Sequence, residues 1–301
     1  MSEPRSVRIR YYPPTPKLRE LVTTVFLVEI EMNGPGRISD MLFPEWGTLR
    51  FHQGDVPDAC NSFGQAVSGT PFPVTGPHSI GMQFAIGTSR QWGVTFQPLG
   101  WAACVGLPAH VFSNAILDGH VHPGFAAFRP LAETLFGPEP DEAGRLDQIM
   151  PVFEDLPKLA VPRPERVRGI YIGLLGEDIR SVDDLARRCA VSKRTLERVC
   201  SHSIGFPPKL LLRRQRFMRS LTQFAVDPSL RWIGAMDAQY HDQAQFVRDF
   251  RHFMGMTPSE FAARDKPILG PAMRERHLYI REMVTELRRQ GDRSNYGVAD
   301  L

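Results

Sequence analysis

The chain has 301 residues, of which 42% are hydrophobic and 23% charged, with a formal net charge of +3. That is enough chain for about two domains with real cores, and the overall charge by itself selects no partner. No run approaches the roughly 20 apolar residues of a membrane span, Met1–Arg5 lacks a basic-then-apolar export pattern, and Cys60, Cys104, Cys189 and Cys200 have no paired close spacing, so the expectation is a cytoplasmic protein without a membrane partner, whose thiols are small core residues.

The N-terminal half reads as mostly β. Leu21–Ile30 is rich in β-branched and aromatic residues and stops at Gly34-Pro35-Gly36. Thr48–His52 alternates and ends at Gln53-Gly54-Asp55, and Met82–Ile86 and Trp92–Phe96 flank Gly87. Short strands between Gly and Pro turns predict a small sandwich or barrel. From about Trp101 the pattern becomes helical, most clearly over Leu131–Phe136. Residues 1–160 carry 11 Lys and Arg against 16 Asp and Glu, a net −5.

A barrel of this kind can hold a metal, which makes its histidines relevant. His52 and His78 fall on or beside predicted strands, and His110, His120 and His122 follow. His120-Val121-His122 has a metal-ligand spacing but runs into the turn Pro123-Gly124. Neither a metal site, a cofactor nor a catalytic residue is therefore expected. The chain also lacks a glycine-rich phosphate loop, a Gly-x-Ser-x-Gly elbow and a Cys-rich zinc pattern. Pro151, Pro157, Pro162 and Pro164 then punctuate a stretch read as a semi-rigid linker, with the change of domain near Val161.

Beyond it, residues 165–266 carry 18 Lys and Arg against 12 Asp and Glu, a net +6. A basic module beside an acidic one fits a phosphate-binding domain joined to one that does not bind DNA. Ser181–Arg198 reads as helix, turn, helix: Ser181 caps the first helix, Leu185 and Ala186 face inward, Ala190 and Val191 make the turn, and Ser192 caps the second. Leu196, Val199 and Cys200 form an apolar stripe, leaving Lys193, Arg194, Glu197, Arg198 and Ser201 outward. Arg can pair with guanine O6 and N7, and Glu can accept from cytosine N4.

A long helix follows, crowded by Arg213, Arg214, Arg216 and Arg219, some of which are expected on phosphate. A second motif spans Trp232–Phe250. Asp242 caps its second helix, Phe246, Phe250 and Phe253 recur at i, i+4 and i+7, and Gln243, Gln245 and Arg248 project outward. Gly255 ends the helix, and Thr257-Pro258-Ser259-Glu260 is a capping box. The two reading helices start about 50 residues apart, room for one connecting helix, so both could enter successive major grooves roughly 34 Å apart. Residues 273–289 form a charged helical tail whose thin stripe is Leu278, Met283 and Leu287, suited to capping the DNA domain or to dimerisation.

Over residues 165–266 the chain resembles the AraC/XylS-type bacterial transcription regulators, through Asp184–Ala186, Ser192–Arg198, Gly205–Lys209, Arg213–Arg216, Asp242–Phe250 and Gly255–Phe261. The resemblance implies a seven-helix unit in which Arg194, Glu197, Arg198, Gln243, Gln245 and Arg248 read bases. The chain departs from the pattern at Gly234, usually bulky and aliphatic, and at Gln239, usually glycine; Leu230–Ala238 is accordingly expected to be frayed or shifted, with Trp232 and Ile233 supplying core contacts. More loosely, Phe43–Phe51, Gly76–His78, Gly93–Pro98 and Gly106–Ala109 resemble a cupin-like domain found before such modules.

The expected fold is α+β: a small cupin-like β-barrel with trailing helices over 1–160, an all-α DNA-binding domain over 161–266 and a helical tail over 267–301. The expected function is a sequence-specific DNA-binding transcription regulator, not an enzyme, acting on double-stranded DNA. Lys193, Arg194, Glu197, Arg198, Arg213, Arg216, Gln243, Gln245 and Arg248 are its candidate DNA contacts. A small-molecule effector, RNA polymerase and a second copy of the chain are candidate partners, and whether it activates or represses stays open. The alternative is a cupin-like metal-binding enzyme domain fused to a DNA- or protein-binding module.

Overall fold

The structure is a computed structural model that describes residues 4–137, 141–156, 158–176, 178–226, 232 and 234–289. Ten strands come first: β1 (Pro4–Tyr12), β2 (Val22–Met32), β3 (Ile38–Leu42), β4 (Thr48–Gly54), β5 (Asp58–Asn61), β6 (Ala66–Val67), β7 (Pro73–Thr75), β8 (Met82–Ile86), β9 (Ser89–Phe96) and β10 (Ile116–Asp118). They form two antiparallel sheets, β1-β2-β9-β4-β7-β10 and β3-β8-β5-β6. The four runs read as strands in the sequence are β2, β4, β8 and β9, and three of them lie together at the centre of the larger sheet.

Strand alternation gives that sheet two different faces. Val25 and Leu27 of β2, Leu49 and Phe51 of β4, and Trp92, Val94 and Phe96 of β9 share one buried core. Two helices, α2 (Arg129–Thr134) and α3 (Glu142–Asp155), complete it with Leu131, Ile149 and Phe153. The intervening residues Phe26, Val28 and Ile30, Arg50 and His52, and Gln91 and Thr95 face a cavity, across which stand Met82, Phe84 and Ile86 of the smaller sheet. Gly93 interrupts β9 on that face because the Phe26 ring lies over it: a Cβ there would sit 2.0 Å from Phe26 Cζ.

The proline-punctuated stretch is less of a linker than expected. Pro151 lies inside α3, where burial of Ile149 and Phe153 outweighs the missing N–H. Glu142 at the start of α3 bonds Arg10 and Tyr12 on β1, and Glu154 near its end bonds Thr15 and Lys17. Pro164 opens α4 (Pro164–Leu175) at a position where its missing N–H costs nothing.

The remaining elements are helical: α5 (Val182–Arg188), α6 (Lys193–Val199), α7 (Pro208–Val226), α8 (Gln243–Met254), α9 (Pro258–Ala263) and α10 (Leu269–Arg289), with one short turn of helix, α1 (Pro98–Gly100), left behind in the β half. The two halves share their cores. Trp46 and Leu99 pack among α4, α5 and α6, and Met41 and Phe43 pack with Phe217, Phe250 and Phe253. Phe253 O accepts from Gly81 N at 2.6 Å, and Gly205 O accepts from Ser113 Oγ at 2.5 Å.

Helix α10 is not an appended tail. It runs against both β1 and α7, with the Tyr279 ring 6.0 Å from the Tyr11 ring and Tyr11 Oη donating to Ala272 O at 3.3 Å. Asp40 of β3 is fully buried, and its Oδ2 accepts from Ile268 N at 2.7 Å and Leu269 N at 2.8 Å. This carboxylate satisfies the first free N–H groups of α10. The apolar contacts come from Ile268, Leu269 and Met273. Leu278, expected in the stripe, is 49% exposed, and the side chains of Met283 and Leu287 lie outside the described residues.

Candidate DNA-reading helices and a cavity between the sheets

The first motif folds as its sequence dictates. Ser181 Oγ accepts from Asp184 N and Ser192 Oγ from Thr195 N, capping α5 and α6. Leu185, Ala186, Leu196, Val199 and Cys200 are buried. Ala190 makes the turn at φ = 50°, in the left-handed region that favours glycine. Ala190→Gly is therefore expected to stabilise the protein by about 0.5–1 kcal/mol, seen as an increase of a few degrees in the melting temperature; a lower midpoint would show that this turn is not strained.

That framework leaves Lys193, Arg194, Glu197 and Arg198 exposed on α6. Lys193 pairs with Asp183 across the turn. Arg194, Glu197 and Arg198 have no hydrogen-bond or ion-pair partner among the described residues, so two guanidinium groups and a carboxylate stand free on one helix of seven residues.

The second motif is built differently. Asp242 caps α8 by accepting from Gln245 N, Gly255 ends it at φ = 72°, and Thr257 and Glu260 form the expected capping box. Phe246, Phe250 and Phe253 are buried, while Gln243 and Arg248 are exposed. Gln245 is half-buried and accepts from His241 N at 3.2 Å, so its amide helps to hold the start of the helix. Residues 234–240 form turns; Leu230 and Ile233, and with them much of the expected first helix, lie outside the described residues. Gly234 sits at an exposed turn, so it is not the inward slot of a helix, and the fully buried residue is Ala235. As expected, Trp232 supplies core contact, stacking on Phe246 with ring centroids 5.8 Å apart.

Arg213 and Arg216, expected on phosphate, are engaged within the protein. Both bond Asp249, a carboxylate of α8 that is only 3% exposed: Arg213 at 2.7 Å and Arg216 at 3.1 Å. Tyr240 Oη reaches the same carboxylate at 3.2 Å, and the Arg216 guanidinium lies 4.3 Å from the Tyr240 ring centroid. Arg219 is drawn inward by Asp237 at 2.6 Å. These arginines brace α7 against the second motif. Asp249 was missed because a single Asp in a helix ordinarily reads as a solvated charge; the signal was its i, i+3 and i, i+4 position among three buried phenylalanines.

Between the two sheets lies a cavity of about 570 Å³ that α4, α7 and α10 close from the helical side. Its walls are mainly apolar, with a few fixed polar groups, as small-molecule sites are. Glu45 and Arg50 form a buried ion pair, with Arg50 also donating to Thr75 at 3.0 Å. His52 is 5% exposed, and neither ring nitrogen has a hydrogen-bond partner. Burial pushes its pKa down to about 3, so the imidazole is neutral. Arg214, from the helix between the two motifs, also lines the cavity, stacked 4.3 Å over the Trp46 ring.

Nothing draws the histidines together. His78 bonds Gly76 O, His120 packs edge-on against Phe72, and His122 accepts from Gly124 N. Among the described residues no three His, Cys, Asp or Glu converge on a metal position, and no helix is long and apolar enough to cross a membrane. Cys104 and Cys200 are buried, as expected, and Cys189 is partly so, but Cys60 is exposed on β5, an inner strand of the smaller sheet.

A helix-turn-helix domain family matches residues 185–264. No curated protein matches the chain in sequence. Solved structures that overlay on it include ToxT from Vibrio cholerae in its P21 form, 9% identical, covering 76% of this chain and 98% of that one with a TM-score of 0.41. ToxT from Vibrio cholerae O395 is 11% identical, covering 75% and 95%, with a TM-score of 0.38. Wild-type ToxT from strain SCE256, solved with an unsaturated fatty acid bound, is 9% identical, covering 76% and 96%, with a TM-score of 0.36. Overlays this loose leave the function of the cavity to the chemistry of its own walls.

Proposed function

We propose that the chain is an AraC-type DNA-binding transcription regulator whose helix-turn-helix domain spans residues 185–264, that α6 is its principal base reader and that a small molecule in the cavity sets its affinity for DNA. The observation that carries this reading is the exposed, unpaired set Arg194, Glu197 and Arg198 on a helix whose other face is fully packed. Gln243 and Arg248 supply a second, sparser reading surface on α8. The role is one of binding in the cytoplasm, with no catalytic step.

The cavity is suited to control because its wall includes α7, the helix that joins the two motifs. A ligand touching both sheets and α7 contacts the sensing half and the reading half at once. It shifts the equilibrium only by its difference in affinity for the two arrangements.

The test is capture of genomic fragments around the protein's own gene, followed by binding measurements on the retained sequence. Arg198→Ala is expected to weaken specific binding by about 1–3 kcal/mol and to relax preference at one base position. Arg216→Ala is expected to lower the melting temperature instead, because it strips a partner from Asp249. Unchanged base preference in Arg198→Ala would remove α6 from the reading role.

A further inference from the structure

From the polar groups of the cavity wall, and resting on the effector reading above, we infer that the cavity holds an apolar monocarboxylic acid, with its carboxylate on Arg214 and its hydrocarbon or aryl body between the two sheets.

The inference starts from an unbalanced charge. Arg214 is 3% exposed, and its Nε has no hydrogen-bond partner. Its one hydrogen bond is a long contact of 3.4 Å to Gln215, and no carboxylate pairs with it among the described residues. Neighbouring arginines are treated differently: Arg50 has Glu45, Arg213 and Arg216 share Asp249, and Arg219 has Asp237. Burial lowers the pKa of Arg214 only to about 10, so the group stays charged at neutral pH. A buried charge is costly unless paired. The ring of Trp46 meets one face of the guanidinium, and its in-plane N–H donors suit a carboxylate.

The remaining walls set the rest of the ligand. Glu45 and Arg50 neutralise each other and His52 is neutral, so among the described residues Arg214 is the buried cation left without a carboxylate; Arg276, partly buried and stacked over Phe43, adds a second positive charge to the same wall, which favours an anion. Val28, Ile30, Phe84, Ile86 and Ile268 give the body an apolar bed. A neutral imidazole offers one donor and one acceptor, so His52 favours an acid that carries a hydroxyl or oxo oxygen within its reach. At about 570 Å³ the space suits a medium-sized organic acid.

The experiment uses the full chain, with titration calorimetry and thermal shift against decanoate, 2-naphthoate and decanol. Decanoate and 2-naphthoate distinguish an alkyl from an aryl body, and binding of either supports the inference. The acid is expected to bind at least about tenfold more tightly than the alcohol of equal length. Arg214→Gln is expected to abolish that preference while still binding decanol. Equal affinity for decanoate and decanol in the unaltered protein, a measurement that needs no variant, would overturn the inference, as would full acid selectivity in a folded Arg214→Gln. DNA binding is measured on the same samples. Loss of the acid preference with DNA binding intact sinks only the ligand class, whereas acid binding that leaves DNA affinity unchanged sinks effector control and spares the ligand.

Discussion

Asp249→Ala is expected to cost about 3–5 kcal/mol, the loss typical of removing one member of a buried charge network. The carboxylate holds Arg213, Arg216 and Tyr240 together at the joint between α7 and α8. Without it two guanidinium groups face each other across a partly buried gap, and the tyrosine hydroxyl loses its acceptor. Burial and the neighbouring Asp249 charge already push the Tyr240 pKa well above its ordinary value, so the phenol stays protonated and donates at any working pH. Denaturant melts of the full chain check the magnitude. Asp249→Asn keeps one acceptor and is expected to lose less. A loss below about 1 kcal/mol in the alanine variant would mean that the phenylalanines alone hold α8 in place.

The network also anchors the second motif to α7. An ordinary helix-turn-helix positions its reader by packing one short helix against another. Here Asp237 bonds Arg219, its own N–H reaches Ser220 Oγ at 2.8 Å, and Asp249 ties the reader to α7. Polar anchoring thus ties the described part of the second motif to α7.

How far the sequence could be read follows from these particulars. The first motif was legible in detail because each boundary has a local cause: Ser181 and Ser192 at the caps, Leu196 and Val199 at helical spacing. The same holds for Asp242, Gly255 and the Thr257–Glu260 box. Strands β2, β4, β8 and β9 were visible through β-branched and aromatic runs. Strands β1, β3, β5, β6, β7 and β10 were not, since charges alternate along β1 and the others are five residues or fewer, too short to show a period. The ion pairs of Arg213 and Arg216, and the role of Asp40, were missed for another reason. Their partners lie 33 to 36 and 228 to 229 positions away, and local patterning carries no record of such distances. The acidic and basic halves suggested separate domains, yet Trp46 and Phe43 are core residues of the helical half. The cavity is invisible for a related reason: its walls combine residues from both halves.

Asp40→Ala is expected to be the second most damaging change, at about 2–6 kcal/mol, since it leaves Ile268 N–H and Leu269 N–H buried without an acceptor, each costing about 1–3 kcal/mol. Burial raises the Asp40 pKa above its ordinary 3.8, and the N–H groups of Leu269, Ile268 and Met41 only partly oppose that rise. A carboxyl group with a raised folded-state pKa favours folding most in acid, and that part of the stability fades as pH climbs from about 3.8 through the raised value. The gap in stability between the unaltered protein and Asp40→Ala is therefore expected to narrow from acid to neutral pH, while the unsatisfied N–H groups keep it open throughout. Asp40→Asn, which retains one oxygen for the two donors, is expected to fall between them. Ile268, Leu269 and Met273 line the cavity beside this contact, so freeing the start of α10 also opens the cavity wall. Limited proteolysis checks this directly: cleavage near Pro267 is expected in Asp40→Ala at protease levels that leave the unaltered chain whole. Equal resistance of the two proteins, with equal melting temperatures, would show that α10 is held by Tyr11 and its apolar contacts alone.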